Sequence, residues 1–186
     1  MSSSLISSLR TISGNQPAIR RIIEEKTQTF KQGVPLMLNA VDGGLQEWDG
    51  VTVAAGIYGF SKHYGVSLTS TGVALPGNSE STFGSVPNQP SAVNIPRGGP
   101  LNDGLTDVEV ANSDTVFFGQ VGPTQTTAAS DVGKSYGMTK DTDGHWYVDK
   151  TKVGPAVVVK IVELDTIDTT RGVHFIVLPS AQQVGA

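Results

Sequence analysis

Residues 131–149 read DVGKSYGMTKDTDGHWYVD, and this stretch decides the fold class. Two apolar-aromatic runs, Tyr136–Met138 and His145–Val148, flank the loop Lys140-Asp141-Thr142-Asp143-Gly144. Alternation on both sides of an Asp-Gly turn signal spells a β-hairpin. Trp146 and Tyr147 are adjacent in its second arm, so their rings point to opposite faces of one strand. One ring is then expected in the core and the other at a subunit interface.

Working outward, the C-terminal side repeats the pattern. Val157–Leu164 is the most β-branched run of the chain, and a polar turn separates it from Val173–Leu178. The two read as adjacent antiparallel strands, with Pro179 ending the pairing. On the N-terminal side, strands are expected over Thr106–Ala111 and Thr115–Val121, with Asn112-Ser113-Asp114 as the turn between them. Further back lie Val34–Leu38, Leu45–Trp48, Val51–Ala55 and Ile57–Phe60, which read as a compact antiparallel set over 29–60. From Arg20 the text allows a short helix after Asn15-Gln16-Pro17, but the alternation of Ile, Glu and Thr favours a strand.

Two regions fit no such pattern. Residues 1–19 are Ser-rich with isolated Leu5, Ile6, Leu9 and Ile12, and read as a frayed terminus or as an arm that orders against a neighbouring subunit. Residues 61–104 hold five of the ten prolines, yet carry Leu75, Phe83, Val86, Val93 and Ile95 at intervals. A long loop of this kind is usually functional or disordered. An ordered loop lying on a partner subunit is expected. The organisation is thus an arm, 1–19, and one β domain, 20–186.

Composition narrows the function classes. The chain has 186 residues, 16% charged, with 22 Gly and no Cys. Many short strands fit this better than helix bundles or alternating α/β enzymes. A net charge of −4 gives no basic face for nucleic acid. No run is long enough to span a membrane, and the start lacks the form of a secretory signal, so synthesis in a cytoplasm is expected. His63, His145 and His174 fall on separate elements without metal spacing. Asp141-x-Asp143-Gly144 resembles the opening of a calcium loop, but position twelve is Lys152, and a hairpin turn explains it better. Glu24/Glu25 and Asp165/Asp168 are the carboxylate pairs that could flank a substrate, and no nucleophile or phosphate-loop motif accompanies them. No catalytic residue, cofactor or metal is expected. Trp48, Tyr58, Tyr64, Trp146 and Tyr147 are either core or a docking face.

Three blocks, in order, carry a resemblance. The first is RRIIEEKTQTFKQGVPLMLNA (20–40) with LQEWDG (45–50) and AAGIYGF (54–60). The second is TFGSVPNQPSAVNIPRGGPLNDG (82–104) with DTVFFGQV (114–121). The third is DVGKSYGMTKDTDGHWYVDK (131–150) with VVVKIVELD, GVHFIVL and the AQQ tail. Together they resemble the capsid decoration, or cement, proteins of tailed bacteriophages. The resemblance implies an all-β fold, a small antiparallel β-barrel or β-sandwich. It implies trimers on the outside of a virion shell, bound to the major capsid protein and bracing capsomers, with no nucleic acid, membrane or cofactor. Capsid and subunit contacts are then expected at Leu5, Ile6, Leu9, Ile12, Phe83, Val86, Val93, Ile95, Trp146 and Tyr147. A glycan- or receptor-binding spike using Trp146 and Tyr147, or a small hydrolase, would be the alternatives.

Overall fold

A computed structural model describes residues 6–25, 28, 30–41, 43–54, 56–63 and 101–183, without the side chains of 101–105. The fold is all-β. Strands β2 (Ile19–Glu25), β3 (Pro35–Leu38), β4 (Leu45–Glu47), β5 (Gly59–Ser61) and β6 (Leu101–Val110) form a closed barrel in the order β2-β4-β3-β5-β6. Strands β1 (Ser7–Thr11), β7 (Thr115–Gln120), β8 (Ser135–Lys140), β9 (Trp146–Asp149), β10 (Val159–Leu164) and β11 (Gly172–Val177) form a six-stranded sheet. Its order is β1-β7-β11-β10-β8-β9. That sheet curls on itself, because Val148 in β9 bridges Val121 just beyond β7 and accepts a hydrogen bond from the Gly122 N–H at 3.0 Å. β1 is left outside the curl as an added strand on β7.

The period of two explains which faces are covered. In β11, Val173, Phe175 and Val177 are buried while His174 and Ile176 are only partly so. β10 pairs with β11 antiparallel, as the sequence suggests. β8 and β9 pair with Met138 opposite Val148 and Lys140 opposite Trp146. The turn closes through Asp141 N–H to His145 O at 2.9 Å, and Gly144 takes φ +84°, a left-handed angle that glycine adopts freely.

Two aromatic joints fuse barrel and sheet into one core. Phe60 of β5 lies 4.6 Å from Phe117 and 6.0 Å from Phe175, ring centre to ring centre. Trp48, just after β4, lies 5.1 Å from Trp146 of the hairpin. Glu47 completes the second joint, accepting from Trp146 Nε1 at 2.8 Å and from Lys140 Nζ at 2.9 Å.

Three local expectations change. The strand expected over Val51–Ala55 does not form in its described residues, 51–54: Asp49 Oδ1 accepts from the N–H groups of Val51 and Thr52, and Trp48 Nε1 donates to Thr52 O at 2.7 Å. The tie to Trp48 outweighs the β-branched propensity of the run. The barrel is also not wholly antiparallel, since β2 runs parallel to β4. The third change concerns the N-terminus. Residues 1–19 were expected to have nothing in their own chain to pack on, but Ser7–Thr11 pairs antiparallel with β7 and Ile6 is buried in the core.

Candidate docking surface

Among the described residues, large apolar side chains are exposed singly at Val41, Val51, Val132, Val153 and Ile167, and recur along the N-terminal stretch. Leu9 is 50% exposed, Ile12 60% and Ile19 51%, whereas Ile6 is 2% exposed. β1 explains the contrast. Its pairing with β7 slips between Ser8 and Arg10, so Leu9 sits at a bulge and is turned outward. Ile19 opens β2 opposite Glu109 of β6, and the Glu109 carboxylate accepts from the backbone N–H of Ser8. Leu9 and Ile19 therefore flank the same glutamate. Ile12 is fixed nearby through its N–H to Asp114 O at 2.8 Å. Capping the Ser8 N–H with a carboxylate also blunts one edge position of β1.

The remaining contact residues expected from sequence divide into two groups. Leu5, Phe83, Val86, Val93 and Ile95 lie outside the described residues, as do Tyr64 and most of 61–104. Trp146 and Tyr147 are both buried, at 3% and 6% exposure, so the expectation that one ring faces a subunit interface is corrected. Trp146 packs on Trp48, and the back of the hairpin is closed by Arg171, whose guanidinium carbon lies 5.4 Å from the Tyr147 ring centre. Ile6 is corrected likewise: it fills the chain's own core. Trp48 and Tyr58 are also core residues, each 3% exposed.

Titratable groups serve the scaffold. Asp165 and Asp168 accept backbone N–H groups of their own turn: Asp165 Oδ2 from Ile167 and Asp168, Asp168 Oδ1 from Thr170 and Arg171. Glu24 is fully buried and accepts from Thr106 Oγ1, and Glu25 accepts from Asn39. His174 lies between Glu163 (3.3 Å) and Asp165 (3.4 Å). Asp141, Asp143 and His145 can bring one ligand atom each within 4.8 Å of one another beside a cleft of about 280 Å³. Lys31 Nζ stands 3.5 Å from His145 Nε2, and Asp141 already accepts from the His145 N–H. Those contacts favour the turn over a cation site, as the sequence pattern does.

Asp131 is the clearest electrostatic anchor. It is 4% exposed, and accepts from Tyr136 Oη at 2.9 Å, the Ala128 N–H at 2.8 Å and Lys150 Nζ at 2.7 Å. Burial pushes its carboxyl up, but Lys150, Ala128 and Tyr136 together hold it below the usual range. Burial and the neighbouring Asp131 carboxylate push the Tyr136 hydroxyl up to about 12, so it stays a donor. A lowered folded-state pKa gives stability that is present above the unfolded value and fades as pH falls through the folded one. Asp131→Asn should therefore lower stability at pH 7 by about 1–3 kcal/mol. The difference from wild type should shrink below roughly pH 4, which urea melts at pH 7 and pH 3 would measure.

Compared with known proteins, the chain matches no family model, no curated protein and no solved structure.

Proposed function

We propose that this chain is a structural virion protein that binds the outer surface of an assembled phage capsid as a trimer and braces neighbouring capsomers. The observation that carries the proposal is the outward placement of Leu9 and Ile19 beside Glu109, with Ile12 also exposed on the same N-terminal stretch. Water-exposed aliphatic groups grouped on one stretch mark a contact surface more often than a random scatter does. The ordered block resemblance to cement proteins supplies the kind of partner. Binding through a closed trimer multiplies modest contacts, because the second and third subunits engage at high effective concentration. Burial of Trp146 and Tyr147 counts against the glycan-binding alternative, since neither ring offers a stacking face.

The test is co-sedimentation with shells assembled from the major capsid protein of the same genome. Leu9→Ser, Ile12→Ser and Ile19→Ser combined remove three half-exposed aliphatic groups, each contributing about 1 kcal/mol of burial at a contact. Shell affinity should fall by roughly 100-fold per subunit site while the thermal melt stays near wild type. Equal binding by the triple variant would remove this surface from the contact.

A further inference from the structure

Three carboxylates grip the N-terminal stretch, and each comes from a different element. Glu109 of β6 accepts from the Ser8 N–H. Glu163 of β10 accepts from Arg10 Nη2 at 2.9 Å. Asp114, in the turn before β7, accepts from the Ser13 N–H at 2.8 Å and from the Ser13 hydroxyl. These partners are 101, 153 and 101 residues apart, so each contact fastens the stretch to a distant part of the chain. By contrast, Asp49, Asp165 and Asp168 each hold their own turn. A charged acceptor makes a hydrogen bond roughly twice as strong as a neutral one, and that surplus is lost when the carboxylate takes up a proton.

The charges around these three groups act in the same sense. Lys62 Nζ stands 3.7 Å from Glu109 Oε1. His174 Nδ1 lies 3.3 Å from Glu163 Oε2, the oxygen that also takes Arg10, and His174 Nε2 lies 3.4 Å from Asp165 Oδ1. His174 and Arg10 hold the Glu163 carboxyl below the usual range. A carboxyl lowered in this way stabilises the fold above its unfolded value, and that contribution fades as pH falls through the folded one. A proton on His174 would also set a second cation on the oxygen that Arg10 uses. Apolar burial adds little between residues 8 and 13, where Leu9 and Ile12 are already at least half in water. Ile6 on one side is buried, and Ala18 on the other accepts from the Val110 N–H at 2.9 Å. The curl of β7, β11, β10, β8 and β9 closes through the Val121–Val148 bridge without β1.

We propose that residues 8–13 are an acid-released strap: protonation of Glu109, Asp114 and Glu163 lets them lift from β7, while Ile6 and Ala18 hold the two ends and the rest of the fold stays closed. Opening moves Leu9 and Ile12 and leaves Ile19 in place on β2, so it takes the docking surface apart. That consequence rests on the proposed function; the opening itself does not, and it is measured without shells.

Amide hydrogen exchange of the wild-type chain, read by mass spectrometry on peptides covering residues 6–13 and β11, is compared at pH 7 and at about pH 4. After correction for intrinsic rates, protection of residues 8–13 should fall by roughly 30-fold in acid while β11 keeps its own, as expected for two or more lost ties. Protection of residues 8–13 that persists in acid, or that falls only together with β11, would overturn the proposal. A second measurement removes the charges at pH 7. Glu109→Gln, Asp114→Asn and Glu163→Gln combined should exchange over residues 8–13 as the wild-type chain does in acid, and trypsin should cut after Arg10 about 10-fold faster. A triple variant as protected as wild type over these residues would equally overturn it. Shell binding by the wild-type chain is scored separately, so its failure strikes the capsid reading and not the strap.

Discussion

Trp146→Ala is expected to lower the melting temperature by roughly 10 °C, corresponding to about 4 kcal/mol. The indole is 3% exposed and tilts against Trp48, with ring centres 5.1 Å apart. It also lies against Gly50, where a Cβ would sit 3.0 Å from its Cη2. Truncation opens a cavity at the joint between barrel and hairpin, and surrounding rings relax into it only in part. The Glu47 carboxylate would also lose the Nε1 donor, keeping Lys140. Trp146→Phe separates the two losses, since it keeps most of the packing and removes only the hydrogen bond. It should cost about 1–2 kcal/mol. Differential scanning calorimetry of both variants checks the ordering, and equal losses would mean the hydrogen bond, not the packing, dominates the joint.

Deleting residues 1–11 should destabilise the protein by about 2–4 kcal/mol and promote aggregation. A detachable arm would have given a folded, non-binding domain. The location of Ile6 says otherwise: it is buried beside Gly119 and Phe175, and its loss leaves a hole in the core. Removing β1 also uncovers the edge of β7, whose Val116 and Phe117 are almost wholly buried. Unpaired backbone groups on such an edge invite pairing with other chains. A thermal melt with light scattering measures both effects, and a melt unchanged from wild type would contradict the place given to Ile6. For this reason the Leu9, Ile12 and Ile19 substitutions, which leave β1 in position, are the cleaner probe of docking.

Much of this fold can be read along the chain wherever the determining contacts are local. The 131–149 hairpin is written in its Asp-Gly turn and flanking alternation, and β10 with β11 in runs of Val and Ile. The all-β class follows from these. Residues whose environment is set from far away are less legible. Nothing near Ile6 announces that Gly119, on another strand, leaves room for it. Tyr147 was as good a candidate for an outer face as Trp146, because the covering Arg171 arrives from the β10–β11 connection. Val51–Ala55 has strand composition, and Asp49 with Trp48 folds residues 51–52 back instead. Of the proposed docking residues, Leu9 and Ile12 can be recognised as isolated apolar groups in a Ser-rich stretch. Ile19, the last residue of the expected 1–19 arm, is not among the contacts the sequence suggests, and only its position opposite Glu109 at the start of β2 sets it beside Leu9.

The most direct measurement of the proposed role is the amount of wild-type chain that co-sediments with undecorated phage shells as protein concentration is raised. A cement protein should bind saturably, in high copy number and in multiples of three per site, and should raise the temperature at which the shells come apart. Absence of saturable binding, or a handful of copies per shell as for a tail component, would contradict it.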